Sequence, residues 1–244
     1  MKKKLIIVIL MLLNIKLCHS QIKETNIKYN NNKYIVISMN KNYERIKIIS
    51  NLNENCFNTN EIIKSMNMKG IEPLYIINGG MYLENMSPQG LLIDNEKMIS
   101  EINLGNKKDH SNFYNLPNGI FLTKQNSNEI INSIAYSRYK YKVINATQSG
   151  PFLVLNGVIN QKFKKKSKSI NYRLGVGISK KNNELYFVLS DTLVNMYAFS
   201  DLFRNHLKCE NALYLDGKIT NLYSKNKPEN TRIRSLYATS IIIY

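Results

Sequence analysis

The sequence predicts a strand-rich α+β fold, a single mixed domain in which short strands are accompanied by a few short helices. Three features of the 244 residues predict it: short apolar runs rich in Ile, Val and Tyr, Gly or Asn at the ends of those runs, and a few amphipathic stretches with helical spacing. β-Branched and aromatic residues pack well on a pleated surface, whereas Gly and Asn tolerate the backbone angles of tight turns.

The apolar runs are predicted to be strands, and short polar turns separate several of them. Asn156 and Gly157 form a two-residue hairpin signal, and residues 181–183 form a polar turn between two further runs. Antiparallel pairing is therefore expected to supply much of the sheet. The predicted strands are 34–39, 45–50, 74–77, 90–93, 119–123, 152–155, 175–179, 185–189, 212–215 and 239–244.

Helices are predicted where apolar residues recur at helical spacing behind a capping residue. Asn60 precedes the first, which is expected to stop at Gly70, Asn126 and Ser127 precede the second, and Asn195 precedes the third. The third has the clearest apolar face. The predicted helices are 61–68, 129–136 and 197–207.

Residues 1–20 have the pattern of a secretory signal peptide. A lysine-rich start is followed by an uninterrupted apolar run over 5–13 that is too short to span a bilayer, and cleavage is expected before Gln21. A retained membrane anchor and a lipoprotein modified at Cys18 are the alternatives. Residues 21–244 are then expected to form one domain of a secreted or periplasmic protein with no membrane insertion after cleavage.

The chain is strongly basic, with a formal net charge of +17. A basic surface attracts phosphates and acidic glycans, so a sugar-phosphate or glycan substrate suits this charge. Lysines are scattered along the whole chain, however, and the densest run, residues 162–168, is interpreted as a solvated loop. No nucleic-acid partner is predicted, because the chain has no Trp and no helix-turn-helix pattern, and that run contains a single aromatic residue, Phe163.

Cysteine usage leaves two possibilities open. Once the signal peptide is removed, Cys56 and Cys209 remain, and they are either a disulfide pair or two separate buried thiols. Their spacing does not resemble a metal site, and no cofactor is predicted. Two carboxylates could hold a divalent cation, but the sequence lacks further ligands at a suitable spacing.

Polar motifs close several of the predicted strands. Glycine allows close approach of a backbone to a ligand, and the neighbouring polar side chains offer donors and carboxylates, so such junctions can build one polar pocket on a rigid sheet. This pattern indicates an enzyme. The motifs are INGGMY at 77–82, TQSGPFLVLNG at 147–157, RLGVG at 173–177, VLSD at 188–191 and ALYLDG at 212–217.

These motifs, together with SPQGLLIDN and NFYNLPNGIFL, resemble in their order those of the phosphodiester glycosidase family, over residues 74–244. The resemblance implies a mixed α+β domain and a hydrolase acting on a sugar that is linked through its anomeric carbon to a phosphodiester. The chain departs from the family at Lys218, where a second glycine is common. A lysine there either narrows the pocket or adds a cation for phosphate.

The family's motifs fall on residues whose chemistry suits that reaction. Arg173 offers a charged planar fork for phosphate oxygens, and Asp191 and Asp216 offer a pair of carboxylates for activating water. These three are the predicted catalytic residues. The residues predicted to bind substrate are Asn78, Gly79, Gly80, Gln148, Ser149, Gly150, Ser190 and Gly217, with the amides of Gly79, Gly80 and Gly150 forming an anion-binding concavity.

Each of these residues also has a structural interpretation. The two aspartates are favoured turn formers, Arg173 suits an ion pair, and Ser149 lacks a visible histidine partner and is interpreted as a donor rather than a nucleophile. His110 is an additional acid or base candidate. The alternative functions are a non-catalytic module that binds anionic envelope or exopolysaccharide glycans, and a phosphodiesterase that cuts the P–O bond.

Overall fold

The computed structural model describes residues 22–51, 53–54, 56, 58–105, 112–216, 220–233 and 238–244, without the side chain of Asp216. The predicted signal peptide therefore lies outside the described residues. Strands dominate the described part of the chain, which confirms the strand-rich α+β prediction. None of the helices in these ranges is long and apolar enough to cross a membrane.

The strands follow one another along the chain with few helices between them. They are β1 (Lys23–Tyr29), β2 (Asn32–Asn40), β3 (Ile46–Ser50), β4 (Tyr75–Asn78), β5 (Leu92–Asp94), β6 (Lys97–Ser100), β7 (Gly119–Lys124), β8 (Ser127–Asn132), β9 (Asn145–Ser149), β10 (Phe152–Leu155), β11 (Val158–Ile159), β12 (Leu174–Ser179), β13 (Glu184–Ser190), β14 (Asn211–Asp216), β15 (Leu222–Ser224) and β16 (Thr239–Ile243).

These strands form three sheets. The largest has the order β1-β2-β13-β12-β14-β10-β11, the second has the order β6-β5-β9-β7-β8, and the third has the order β15-β4-β16-β3. The paired strands run antiparallel in all three, as the short turns predict. Asn156 and Gly157 form the β10–β11 turn with positive φ angles of 50° and 77°, which confirms that hairpin.

One hydrophobic core is shared by the inner faces of the three sheets. Ile37 and Leu213 from the largest sheet, Phe121 from the second and Ile77 from the third are all buried in it. Burial of large apolar side chains from every sheet stabilises their mutual packing. The sheets are therefore held together through their inner faces, which leaves the strand ends free to carry polar side chains.

Two longer helical segments cover outer sheet faces. Helix α1 (Thr59–Met68) begins with a capping box between Asn58 and Glu61 and buries Ile62 against the third sheet. Helix α3 (Met196–Asp201) is capped by Asn195 and continues as a π-helical turn to His206. Both confirm the predicted helices, although the cap of α1 is Asn58 and not Asn60.

The prediction of a helix over 129–136 is wrong for its first half. Residues 127–132 are strand β8, which pairs with β7 across a two-residue turn at Gln125 and Asn126. Asn126 has φ 66°, a turn conformation, and Asn132 instead caps a single helical turn, α2 (Ser133–Tyr136). Burial of Ile130 in the shared core favours the strand over the local helical pattern.

The two cysteines are separate buried thiols. Cys56 packs beside α1 and Cys209 packs beneath the π-helical turn, in different hydrophobic clusters. Burial raises the pKa of both thiols. Of the two possibilities that the sequence leaves open, the structure shows the thiols.

Candidate active site

Three of the predicted site residues lie at one edge of the largest sheet, formed by the ends of the neighbouring strands β13, β12 and β14. Arg173 immediately precedes β12, Ser190 ends β13, and Asp216 ends β14 opposite Leu174. The amide of Arg173 donates to Ser190 Oγ at 2.8 Å, and the amide of Ser190 donates to the Arg173 carbonyl at 2.8 Å. The register shifts by one residue at Leu174, a bulge of the kind common beside active sites.

Ser149 joins the second sheet to this edge. It ends β9 and is fully buried, and its hydroxyl donates to the Leu215 carbonyl at 2.8 Å. The carbonyl belongs to the residue before Asp216. The contact therefore brings the end of β9 against the end of β14, with Ser149 acting as a hydrogen-bond donor within the protein.

Asn78 and Gly80, at the end of β4 in the third sheet, bond to the segment before β15 and to the second sheet. The Asn78 side-chain oxygen accepts from the Asn221 amide at 2.8 Å, just before β15. The Gly80 amide donates to Thr147 Oγ1 at 3.0 Å, on β9. Asn78 is buried, so its side chain fixes where β15 begins.

Asp191 forms an ion pair that sequence analysis did not predict. Its carboxylate lies 3.2 Å from Nη2 and 3.3 Å from Nε of Arg232, and about a third of each side chain is exposed. Arg232 in turn exchanges two backbone hydrogen bonds of 2.7 Å with Leu222. The segment after β15 therefore returns to the end of β13 and orients the carboxylate.

Taken in order, these contacts close on themselves, and we call the set the contact ring. It brings together Asn78, Ser149, Arg173, Ser190 and Asp191, together with the backbone of Asp216, from the ends of five strands in the three sheets. The ring runs through Asn78, Asn221, Leu222, Arg232, Asp191, Ser190, Arg173, Leu174, Asp216, Leu215, Ser149, Thr147, Gly80 and back to Asn78.

Arg173 is buried to 3% exposure with no acidic partner among the described residues. Its guanidinium donates to the carbonyls of Val194 at 2.8 Å and Ser169 at 3.2 Å, and to the Tyr214 hydroxyl at 3.5 Å. All three acceptors are uncharged. Burial lowers the pKa of the guanidinium, which is the expected penalty for a cation removed from water.

Arg173 lines a polar cavity of about 260 Å³ on the α3 side of the largest sheet. Asn78, Ser149 and Asp191 are not among its lining residues, so the prediction that all the site residues line one pocket stays a prediction. The described lining residues are Asn112, Asn115, Lys162, Phe163, Lys164, Ser167, Ser169, Asn171, Arg173, Met196 and Tyr197.

Comparison with known proteins identifies the domain. The profile of the phosphodiester glycosidase family matches residues 72–244. The chain belongs to this family. A 149-residue stretch, 61% of the chain, is also 37% identical to the uncharacterized protein YigE of Escherichia coli K12, and the match spans 57% of that protein.

Solved structures with the same fold have low sequence identity. The catalytic domain of zebrafish N-acetylglucosamine-1-phosphodiester alpha-N-acetylglucosaminidase, auto-inhibited by its pro-peptide, has a TM-score of 0.62 and 14% identity, with 95% of this chain and 84% of that chain covered. A hypothetical protein from Synechocystis has a TM-score of 0.55 and 11% identity, with 91% and 62% covered.

The glycines that the phosphodiester glycosidase motifs place at the site are tightly packed against protein. A Cβ atom on Gly80 would lie 2.2 Å from the Gln148 carbonyl oxygen, and one on Gly150 would lie 2.5 Å from Asn118 Cβ. The Gly79 amide donates to the Thr239 carbonyl at 2.7 Å, so the amides of Gly79 and Gly80 are both engaged within the protein. Close packing explains why Gly80 and Gly150 lack side chains. The amides of Gly79 and Gly80 are bonded within the protein, so they are not available as donors for the predicted anion-binding concavity.

Gln148 has a structural role in this phosphodiester glycosidase domain. Its side-chain oxygen accepts from the amides of Leu91 and Asn103, both at 2.9 Å, and its nitrogen donates to the Asn103 carbonyl at 2.7 Å and to Ser133 Oγ at 3.1 Å. These bonds fasten the segment after β6 to β9. Its predicted contact with substrate stays a prediction.

Some predicted residues of the family site lie outside the described residues. They are Gly217, Lys218 and His110, and for Asp216 only the backbone is described. Within the described ranges, no group of three or more His, Cys, Asp and Glu side chains is placed to hold a metal ion. Sequence analysis missed Arg232 and the cavity beside Arg173, whose only signal was the run of lysines at 162–168.

Proposed function

We propose that this protein hydrolyses sugar-1-phosphodiesters by cleaving the bond between the anomeric carbon and the phosphodiester oxygen. The observation that carries the proposal is the buried side chain of Arg173, which lines a polar cavity and whose acceptors among the described residues are all uncharged. A buried cation without a counter-charge is costly, and an anionic ligand supplies the missing charge. Membership of the phosphodiester glycosidase family supports a phosphodiester as that anion.

Arg173 binds the phosphodiester in this proposal. A guanidinium has five N–H donors, of which three are directed to Val194, Ser169 and Tyr214, so two have no acceptor among the described residues and are assigned to phosphate oxygens. Because the three protein bonds fix the plane of the guanidinium, little side-chain entropy is lost when the phosphate binds. The arginine thus holds the charge of the leaving group at a defined position.

Asp191 and Asp216 are the carboxylates assigned to the sugar side. Asp191 follows β13 and Asp216 ends β14, and these strands are separated only by β12, so the two backbones are roughly 10 Å apart at the usual strand spacing. Carboxylates that act on one glycosidic bond are separated by about 5 to 9.5 Å, and the backbone separation is compatible with that range. Arg232 positions the Asp191 carboxylate.

The chemistry requires one base and strong charge neutralisation. Water attacks the anomeric carbon and gives its proton to a carboxylate, while the C–O electron pair leaves with the phosphate monoester. That leaving group is already a stable anion, so it needs less help from a general acid than an alcohol does. Arg173 stabilises the negative charge that accumulates on it.

The decisive experiment combines a substrate panel with labelled water. Protein beginning at Gln21 is incubated with sugar-1-phosphodiesters in ¹⁸O-water, and the released sugar and phosphate are analysed by mass spectrometry. We expect the label in the sugar. Label in the phosphate would indicate P–O cleavage instead, and saturable binding without release of sugar would indicate the glycan-binding module.

We also propose that the protein acts outside the cytoplasm, on the basis of the signal-peptide pattern in residues 1–20. Amino-terminal sequencing of the protein recovered from the secreted or periplasmic fraction is expected to begin at Gln21. Recovery of a chain that still begins at Met1 in the cytoplasmic fraction would contradict this location.

A further inference from the structure

The cavity beside Arg173 is more cationic than a simple phosphodiester requires. Three cationic side chains, Arg173, Lys162 and Lys164, line it, and its described lining residues include no Asp or Glu. A phosphodiester carries one negative charge, which one guanidinium can neutralise. The two lysines therefore add positive charge to the lining of the same small cavity.

The loop that carries these lysines is fixed to the protein by hydrogen bonds. The Asn195 side-chain nitrogen donates to the carbonyls of Lys165 and Ser167, both at 3.1 Å, and Lys162 Nζ donates to the Leu116 carbonyl at 2.8 Å. The Arg173 guanidinium donates to the carbonyl of Ser169, just after this loop. The sequence indicates a solvated loop over 162–168, but in the structure these bonds hold the loop over the cavity.

The rest of the lining suits a small polar group carrying hydroxyls. Asn112, Asn115 and Asn171 offer amide donors and acceptors, while Phe163 and Tyr197 offer ring surfaces. At about 260 Å³ the cavity lies just below the roughly 300–1,000 Å³ of pockets for drug-sized ligands. This volume favours a compact phosphorylated group over a nucleic-acid strand.

We propose that this cavity is an aglycone subsite that selects substrates carrying a second phosphate group beyond the phosphodiester that is cleaved. The inference rests on the proposed function, because it places the cleaved phosphodiester at Arg173 and the second phosphate at Lys162 and Lys164. A pyrophosphate link, as in a nucleoside diphosphate sugar, and a phosphate attached through a short polyol share this chemistry.

The test compares two charge reversals in the same loop. Lys164→Glu places an acid in the cavity lining, whereas Lys166→Glu makes the same change of net charge at an exposed residue that does not line it. Both lysines are exposed, so neither variant is expected to impair folding. Three substrates with one sugar are used: a methyl phosphodiester, a nucleoside diphosphate sugar and a sugar-1-phosphoglycerol phosphate.

For the wild type, we expect kcat/KM to be at least about tenfold higher on a substrate with the second phosphate than on the methyl phosphodiester, because a charge-assisted contact is added. Lys164→Glu should abolish that preference, and Lys166→Glu should retain it. Of the two substrates with a second phosphate, the one with the larger Lys164-dependent ratio identifies the preferred spacing between the phosphates. Equal kcat/KM for all three substrates, or equal losses in both variants, would overturn the proposal.

A binding measurement separates this inference from the proposed function. Inorganic pyrophosphate titrated calorimetrically should bind the wild type and Lys166→Glu with similar affinity and bind Lys164→Glu about tenfold more weakly. Pyrophosphate binding that depends on Lys164, without turnover of any substrate, would refute hydrolysis and support the subsite. Turnover of the methyl phosphodiester without Lys164-dependent pyrophosphate binding would support hydrolysis and refute the subsite.

Discussion

Arg173 combines deep burial with hydrogen bonds to two carbonyls on separate segments, those of Val194 and Ser169. A lysine at this position has one compact charged group and cannot reproduce the planar fork. The residue therefore serves two purposes, joining the loop over the cavity to the segment before α3 and presenting charge to the cavity. Substitutions should affect these two purposes differently.

We expect Arg173→Ala to reduce kcat/KM for a sugar-1-phosphodiester by on the order of a hundredfold or more, because charge-assisted bonds to phosphate are lost. Arg173→Lys should recover only part of that loss. Steady-state kinetics measured beside far-ultraviolet circular dichroism distinguishes this from misfolding. Equal activity in wild type, Lys and Ala proteins would remove Arg173 from the site.

For the carboxylates, Asp191→Asn and Asp216→Asn keep the size of the side chain and remove the base. Turnover is expected to fall by about a hundredfold or more in the variant that loses the base, with ligand binding retained. Asp191→Asn should change the stability by at most about 1 kcal/mol, since its ion pair with Arg232 is partly exposed.

Arg232→Gln is the matched control for Asp191, because it removes the ion pair and leaves the carboxylate. We expect an intermediate loss of turnover from a carboxylate that is no longer held in place. Unchanged turnover in both aspartate variants would leave the hydrolase without its proposed base.

The buried thiols make a prediction about pH. Burial raises the pKa of the Cys209 and Cys56 thiols, so the reactive thiolate is scarce at neutral pH in the folded protein. In protein beginning at Gln21, alkylation by iodoacetamide at pH 7.5 is expected to be slow and to accelerate as the pH rises or when urea unfolds the chain. Rapid native alkylation of Cys209, identified by peptide mass spectrometry, would contradict its burial.

At the scale of elements, the glycines of RLGVG serve helix packing. A Cβ atom on Gly177 would lie 2.5 Å from Phe203 Cδ1 and 2.9 Å from Cys209 Sγ, so the absence of a side chain lets the π-helical turn lie directly on β12. The motif thus positions α3 and its extension, and through Asn195 the loop over the cavity.

Gly177→Ala is expected to destabilise the protein by about 1–3 kcal/mol through overpacking. Gly70→Asn is the control, since Gly70 has φ 72°, a Cβ atom there would meet nothing within 4 Å, and Asn tolerates such angles. Urea unfolding measures both. If Phe203→Leu in the Gly177→Ala background restores stability, the clash is located at the Phe203 ring. An equal loss of stability in Gly70→Asn would instead indicate a general effect of replacing glycine.

The ten strands predicted from local sequence are all present, but β1, β6, β8, β9 and β15 were not predicted, and the failure at 129–136 shows the limit of such prediction. Isoleucines in that segment fit a helix, yet Glu129 contacts Lys124 and Tyr139 from the exposed side while Ile130 enters the core, as alternation in a strand requires. Pairing with β7 outweighed helix propensity, and a partner strand leaves no mark within the segment itself.

At the scale of the whole molecule, the order of the strands could not be predicted. β2 pairs with β13, placing Ile35 opposite Leu189, and nothing in either strand specifies a partner so distant in the chain. The motifs at strand ends did locate the contact ring, because polar residues after apolar runs mark strand ends. Arg232 was missed because it does not follow an apolar run. It reaches the contact ring only because the chain after β15 returns to the end of β13.

Strand β16 lies between β4 and β3, and the carbonyl of Thr239, its first residue, accepts the Gly79 amide beside the site. A chain synthesised only as far as β15 has no strand between β4 and β3. Pairing between segments that are far apart in the sequence forms late in folding. If the proposed function holds, a nascent chain that lacks β16 is therefore expected to be inert towards phosphorylated sugars, and activity is expected to arise in a single step when β16 pairs.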